Sequence, residues 1–229
     1  MKKLLVASII CASIFSCKKE ENITYKYADQ PSVLTCEISD NKLYTEAYYT
    51  FENAILTHAK NTNRNPNRVI TLDQAMRNFV SRSRGVININ DYVTKESLDV
   101  FKALHSKGLW NGEKLKSQSD VLNCIGKSIS NKDLKTSFNA LRSVEESLDP
   151  KLIVSAIVSS NNRSQYKDKA LMTYIALDAY FGKFIGKDFS KIEFLKAKEE
   201  TPAVTKPEVT LKKDPHAGHN HGPNDGHNH

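Results

Sequence analysis

Apolar side chains recur every three or four residues along most of this chain, and this spacing restricts the fold more than any other feature. An α-helix turns once in about 3.6 residues, so side chains at such intervals share one face and are buried together. One stripe consists of Leu43, Ala47, Phe51, Ala54 and His58. Others are Leu134, Phe138, Leu141, Val144 and Leu148, and then Ala170, Leu171, Tyr174, Leu177, Phe181 and Ile185. These stripes predict amphipathic helices.

Capping residues and helix breakers give boundaries to further helices. Thr71-Leu72-Asp73-Gln74 carries the hydroxyl and the amide of a capping box, so we expect a helix to begin there and to end at Gly85. Thr94 and Gly108 bound another predicted helix. Two more are expected after serine caps, the first at Ser117 or Ser119 and the second at Ser130.

Asp149-Pro150 predicts one more helix start, since aspartate is a favoured N-cap and proline a favoured first helical residue. The β-branched residues between Lys151 and Ser159 leave a buried strand as the alternative there. Residues 86–90 partly alternate and are expected to form a very short strand or an extended connection, and residues 109–112 a turn. Helical stripes are buried only against one another. We therefore predict an all-α fold, an irregular bundle of six or seven helices over residues 39–197.

The first seventeen residues have the order of an export signal. Lys2 and Lys3 precede an apolar stretch that ends at Phe15 and is shorter than the ~20 residues needed to cross a bilayer. Ile14-Phe15-Ser16-Cys17 resembles the lipobox of bacterial lipoproteins, although Phe15 stands where a smaller residue is commoner. The resemblance implies a signal peptide over residues 1–16 and lipid attached to Cys17. An ordinary secreted protein cut nearby, or a cysteine present by chance, are the alternatives.

Lipoprotein processing adds two or three acyl chains, which hold a protein at a membrane far more firmly than one chain does. Residues 17–38, which contain Pro31, are expected to form the lipidated tether. Lys18-Lys19-Glu20-Glu21 resembles the charged tags that send some lipoproteins of diderm bacteria to the cell surface, and a solvated tether would have the same composition. The expected location is the outer membrane, lipid-anchored, with the leaflet left open.

Cys36 and Cys124 are the two cysteines left once Cys11 is removed with the signal and Cys17 is lipidated. An oxidising compartment favours a disulfide between them. Two separate buried thiols are the alternative, and a catalytic thiol paired with His58 or His105 lacks any local nucleophile signature. His58 is expected to be a packed residue and His105 to lie near a helix C-terminus, where positive charge is favourable.

The formal net charge of +7 is spread over the whole chain. Basic residues are concentrated only at Arg64, Arg68, Arg77, Arg82 and Arg84, and few aromatic residues lie between them. This pattern favours a solvated face over a nucleic-acid groove, so no nucleic-acid partner is expected. Acidic glycans and lipid head groups stay open as ligands, but no residue pattern specifies them. No nucleotide-binding glycine loop, zinc-protease helix or nucleophile elbow is present in the sequence, and we expect no enzymatic activity or catalytic residue.

The composition changes after Lys198 to small polar, charged and proline residues, which predicts a disordered segment over residues 198–229. Five of the seven histidines lie in its last fourteen residues: His216, His219, His221, His227 and His229. Imidazoles two or three residues apart on a flexible chain can close on one zinc, copper or nickel ion. The segment resembles the histidine-rich tails and loops of nickel chaperones and zinc transporters.

These features together predict a membrane-anchored envelope lipoprotein that buffers, senses or delivers a divalent transition metal. The membrane, the metal and an unknown envelope protein are its expected partners. The alternative is a non-catalytic envelope binding or assembly module whose histidine-rich segment is incidental.

Overall fold

The computed structural model describes residues 23–65, 67–85, 87–144, 150–159 and 163–198. Over these ranges the chain has seven α-helices and one two-stranded hairpin, which confirms the prediction of an all-α fold. The helices are α1 (Asn41–Asn61), α2 (Leu72–Ser83), α3 (Lys95–Ser106), α4 (Asp120–Ser128), α5 (Lys132–Val144), α6 (Pro150–Ser159) and α7 (Lys169–Ile175). The segment predicted to be disordered lies outside the described residues except for Lys198, and so does the expected cap Asp149.

Helices α1 and α7 form the centre of the bundle. Helix α1 contacts α2, α3 and α7, while α7 also contacts α4. Every residue from Ala170 to Gly182 is buried, which is typical of a helix covered on all sides by its neighbours. Phe51 on α1 meets Phe79 on α2 at a ring-centroid distance of 5.0 Å and Tyr180 beyond α7 at 5.4 Å. Aromatic contacts therefore join the three elements in the core.

The last predicted helix, through Ala170 to Ile185, is not one regular α-helix. It passes from α7 into a π-helical turn at Ala176–Tyr180 and then into a 3-10 turn at Phe181–Phe184. The indole of Trp110 donates to the carbonyl oxygen of Leu177 at 3.1 Å, inside the π-helical turn. A β-carbon at Gly182 would stand 2.9 Å from the carbonyl oxygen of Glu113. The chain around Trp110 thus packs too closely for a side chain at this position.

The capping predictions are confirmed at two helices and wrong at a third. Thr71 and Thr94 both cap through capping boxes, the second closed by Ser97 in place of the usual glutamate or glutamine. At α5, the Asn131 side chain accepts from the backbone N–H of Leu134 at 2.9 Å, so Asn131 and not Ser130 caps the helix. The backbone N–H of Ser130 instead donates to the Asp168 carboxylate at 2.7 Å. The role of Ser130 therefore depends on its contact with Asp168 and not on the residues next to it in the sequence.

Two connections differ from expectation. The predicted turn at residues 109–112 belongs to an antiparallel hairpin of β1 (Trp110–Asn111) and β2 (Lys114–Leu115), with Gly112 at φ +58° in its turn. Of the strand or extended connection predicted at residues 86–90, residues 87–88 form no strand and Asn88 is extended, whereas Ile89 and Asn90 belong to a 3-10 helix that covers Ile89–Tyr92. Helix α6 has the predicted helical conformation, which excludes the alternative strand.

The packed chain begins before the expected domain boundary at residue 39. Val33 and Leu34 are buried in the core, and Glu46 on α1 accepts the backbone N–H groups of Lys26 at 3.0 Å and Tyr27 at 2.8 Å. Residues 23–38, expected to be part of a tether, therefore lie against α1. They pack there because buried apolar side chains and a buried carboxylate bind them.

Candidate functional site

A cavity of about 400 Å³ lies between the C-terminal end of α1, the loop after it, α2 and the 3-10 helix that ends at Tyr92. We call it the arginine cavity. Its polar lining includes His58, Arg64, Arg68, Gln74, Asn78 and Arg82. Ile55, Ile70 and Phe79 contribute apolar surface to the same lining. A few polar groups over an apolar base are typical of small-molecule binding sites.

Asparagine side chains shape the loop that carries two of the arginines. The Asn63 amide nitrogen donates to the carbonyl oxygens of Asn65 at 2.8 Å and Arg68 at 3.0 Å. The Asn63 side-chain oxygen accepts from the Asn65 N–H, and that of Asn65 accepts from the Asn67 N–H. Such side-chain turns replace missing backbone hydrogen bonds and fix the path of a loop. The backbone at Arg64 and Arg68 is held in this way.

Helix α2 supplies the facing wall. Gln74, Asn78 and Arg82 follow one another at intervals of four residues, which places them in one row along the helix. The capping box fixes the first of them, because Gln74 accepts the Thr71 N–H through its side-chain oxygen. Arg77 lies outside this row and pairs with Asp73. The row therefore presents two amides and one guanidinium to the cavity.

His58 closes the cavity at the end of α1. Its ring lies against that of Tyr92 with centroids 4.0 Å apart, and its Nδ1 is 3.1 Å from the carbonyl oxygen of Asp91. That contact fits an Nδ1–H donor, which leaves Nε2 as the acceptor of a neutral ring. Nε2 is buried and has no hydrogen-bond partner among the described residues. Burial lowers the pKa of His58, the hydrogen bond and charge of Asp91 oppose this, and the positive charge of Arg82 adds to it.

Three arginines give this cavity a positive charge. None of the guanidinium groups of Arg64, Arg68 and Arg82 forms an ion pair with a residue that the structure describes. Arg82 lies against the Tyr92 phenol, whose pKa is raised by burial while the hydrogen bond and charge of Arg82 oppose the rise. Guanidinium groups present planar forks of donors that match carboxylate and phosphate oxygens. The cavity can therefore hold an anion.

A second cavity, of about 670 Å³, is lined by four lysines but differs in charge balance. Lys114, Lys151, Lys183 and Lys187 share its lining with Glu113 and Asp178. Lys183 pairs with Glu113 at 2.7 Å, and Asp178 is only 2% exposed. We call this second cavity the lysine cavity. Its acidic side chains offset part of the lysine charge, so it attracts anions less than its lysine content indicates.

Comparison of this chain with protein-family models, with curated proteins and with solved structures gives no match. Its function must therefore be argued from its own residues.

Several residues singled out in the sequence lie outside the described part of the structure. These are the lipidation candidate Cys17 and the five metal-binding candidates His216, His219, His221, His227 and His229. In the described part, no group of three or more His, Cys, Asp or Glu side chains is placed to hold a metal ion. No described helix has the length and apolar character needed to cross a membrane.

The cysteines Cys36 and Cys124 come together. Their Cα atoms are 5.8 Å apart and their sulfur atoms are joined in the structure, which links the segment before α1 to α4. The Cα separation lies in the range that disulfides span. The thiol pairing in protein taken from cells stays a prediction, tested below.

The two histidines of the folded part occupy different surroundings. His58 is a packed residue, as expected, stacked on Tyr92 at the arginine cavity. His105 lies in the last turn of α3, as expected, with its ring 5.5 Å from that of Phe101. Neither contacts Cys36 or Cys124 through any hydrogen bond in the described residues. The structure thus gives no support to a cysteine–histidine catalytic pair.

Sequence reasoning missed the arginine cavity. The predicted solvated face agrees with the exposure of Arg64, Arg68, Arg82 and Arg84, but the spacing along the chain did not show that three of these arginines line one cavity. Two signals were present: an asparagine-rich loop between two helices, and a polar row at intervals of four from Gln74 to Arg82. The end of α1, which contributes Ile55, His58 and Ala59 to the lining, shows that these two features face a common space.

Proposed function

We propose that this chain is a lipid-anchored lipoprotein of the outer membrane that binds divalent transition metal ions through its histidine-rich C-terminal segment. The observation that carries this proposal is the clustering of five of the seven histidines in the last fourteen residues. Glycine and asparagine separate these histidines, so two imidazoles can reach one ion without steric obstruction. The lipobox-like sequence that ends at Cys17 supports the anchoring.

Metal binding by such a segment depends on the neutral form of imidazole. Protons compete with metal for each ring, so affinity should fall as the pH drops through about 6.5. Copper should bind more tightly than nickel or zinc, following the intrinsic order of these ions. A mobile set of imidazoles should take up more than one ion per chain and impose no single geometry.

Calorimetric titration of the full chain with zinc, copper and nickel at two pH values tests the metal proposal. The informative variant replaces the five C-terminal histidines by glutamine, which keeps the length of the segment. The matched control replaces His58 and His105 in the same way. We expect the first variant to lose most metal binding and the control to keep it. Tight stoichiometric binding by the first variant would place the ligands elsewhere and overturn the proposal.

Detergent-phase partitioning tests the anchor separately. Replacing Cys17 by Ser should move the protein from the detergent phase to the aqueous phase, because lipidation is lost. Cys11→Ser is the matched control and should leave partitioning unchanged. A Cys17→Ser chain that still enters the detergent phase would contradict the lipid assignment.

A further inference from the structure

We propose that the arginine cavity binds an acidic saccharide, that is, a sugar unit that carries a carboxylate or a phosphate. The residues of this site belong to the folded part of the chain, and the inference does not depend on metal binding. Arg64, Arg68 and Arg82 provide the charge, and His58 closes one side of the same space.

The positive charge of the lining favours an anionic ligand. Three guanidinium groups from one loop and one helix line a single concave space, and none of them forms an ion pair within the described residues. Like charges gathered in this way repel one another unless an anion lies between them. The lysine cavity differs, since Glu113 pairs with Lys183 there. An anionic ligand is therefore expected at the arginines.

The backbone that carries these arginines is preorganised. The hydrogen bonds of Asn63 and Asn65 hold the backbone at Arg64 and Arg68, and the capping box holds the first turn of α2. A ligand that binds here orders little backbone, so less of the interaction free energy is lost on binding.

The size and the lining of the cavity restrict the rest of the ligand beyond its anionic group. A volume of about 400 Å³ fits a molecule of one or two rings and not a folded partner. Ile70 and Phe79 offer apolar surface to the C–H face of a ring, while the amides of Gln74 and Asn78 can bind hydroxyl groups. An anion on a hydroxylated ring uses all of these groups. Inorganic phosphate would use only the arginines.

His58 contributes its ring to the wall of the cavity. Its Nδ1 faces the carbonyl oxygen of Asp91, and its Nε2 is buried without a hydrogen-bond partner among the described residues. A small rotation of the ring that exposes Nε2 would let this nitrogen accept a hydrogen bond from a sugar hydroxyl.

Calorimetric titration of the full chain tests the proposal, with a chelator present so that metal on the C-terminal segment does not contribute. The ligands are glucuronate, glucose 6-phosphate, inorganic phosphate and glucose. We expect one of the two acidic sugars to bind with a stoichiometry of one per chain. Glucose and inorganic phosphate should bind at least about tenfold more weakly than that sugar. The two acidic sugars distinguish a carboxylate from a phosphate ligand.

Two pairs of variants locate the site. Arg64→Gln combined with Arg68→Gln should weaken acidic-sugar binding about tenfold or more, while Lys114→Gln with Lys187→Gln, which removes two charges from the lysine cavity, should not. Asn78→Asp puts a carboxylate one turn before Arg82 and should weaken binding by a similar factor. Asn111→Asp on the hairpin is its matched control. All these side chains are exposed: those of Arg64, Arg68 and Lys187 lie on loops, those of Asn111 and Lys114 on the hairpin, and that of Asn78 on α2, so the variants should fold.

The proposal is overturned if neither acidic sugar binds, or if glucose or inorganic phosphate binds as tightly. It is also overturned if the lysine variants lose binding as much as the arginine variants do. Circular dichroism and thermal melting of every variant establish that a loss of binding is not a loss of fold.

Discussion

The two ends of α1 are stabilised in opposite ways. At its N-terminal end, Asp40 pairs with Lys107 at 2.8 Å, Glu46 accepts two backbone N–H groups, and the Cys36–Cys124 link lies just before the helix. At its C-terminal end, His58 borders a cavity whose arginines have no acidic partner among the described residues. Asp40 and Glu46 thus have partners within the fold at the first end, whereas the arginines at the second end have no ion-pair partner in the described part of the chain.

This difference indicates a division of labour along one helix. Groups whose charges are satisfied within the fold contribute to stability, whereas groups left unsatisfied are available to a ligand. Changes at the N-terminal end should therefore alter the free energy of unfolding and leave acidic-sugar binding intact. Changes at the C-terminal end should do the reverse.

The largest effect on stability is expected from the cysteines. Replacing both Cys36 and Cys124 by Ser opens a loop with a sequence separation of 88 residues. On the chain-entropy estimate, the free energy of unfolding should fall by ~4 to 5 kcal/mol. Urea denaturation followed by circular dichroism measures this change, and acidic-sugar binding below the transition should be unchanged.

Mass spectrometry of unreduced peptides checks the premise of that prediction. A peptide pair containing Cys36 and Cys124 is expected in protein taken from cells. Two freely alkylated thiols would show that the pair is reduced there, and the denaturation experiment would then find no loss of stability on substitution by Ser.

A smaller loss is expected at Glu46, which is 3% exposed. Glu46→Gln keeps the shape but leaves one oxygen to accept the N–H groups of Lys26 and Tyr27, and it faces one of them with an amide nitrogen. The free energy of unfolding should fall by about 1 to 3 kcal/mol, the usual effect of an unsatisfied buried donor. Glu37→Gln, at an exposed position outside this contact, is the control, and equal stability of the two variants would contradict the prediction.

The smallest effect concerns pH and His58. Burial holds the pKa of this imidazole below its ordinary value of 6.5, so between that value and the lower folded pKa the unfolded chain binds more protons than the folded chain. Stability should therefore fall as the pH decreases through this window, since acid favours the unfolded state. Asp91, Arg82 and Tyr92 face the ring and set the size of the effect.

Thermal melting of the wild type and of His58→Gln at about pH 7.5 and about pH 5.5 measures this contribution. The wild type should lose more stability between the two pH values than the variant. His105→Gln is the matched control and should not reduce the loss of stability seen in the wild type. Parallel losses in the wild type and in His58→Gln would show that His58 does not contribute to the pH dependence.

Much of the helical architecture could be predicted from local pattern. Thr71 and Thr94 were recognisable as caps because an N-cap needs only residues within one helical turn. Ser130 was wrongly predicted as a helix cap because Asp168, whose carboxylate accepts a hydrogen bond from the backbone N–H of Ser130, lies far along the chain. The π-helical turn after α7 was missed for a similar reason, since Trp110 reaches the carbonyl oxygen of Leu177 from a distant hairpin.

The sequence by itself determined most of the helical segments, most of their buried faces and the places where histidine and cysteine are concentrated, although Val144 of one predicted stripe is 77% exposed. These properties depend on intervals of three or four residues and on composition, both of which can be counted along the chain. The tertiary structure decided that His58, Arg64 and Arg82 border one space and that Glu46 holds the chain before α1. Such groupings depend on how separate helices approach one another, and an interval along the chain carries no information about that distance.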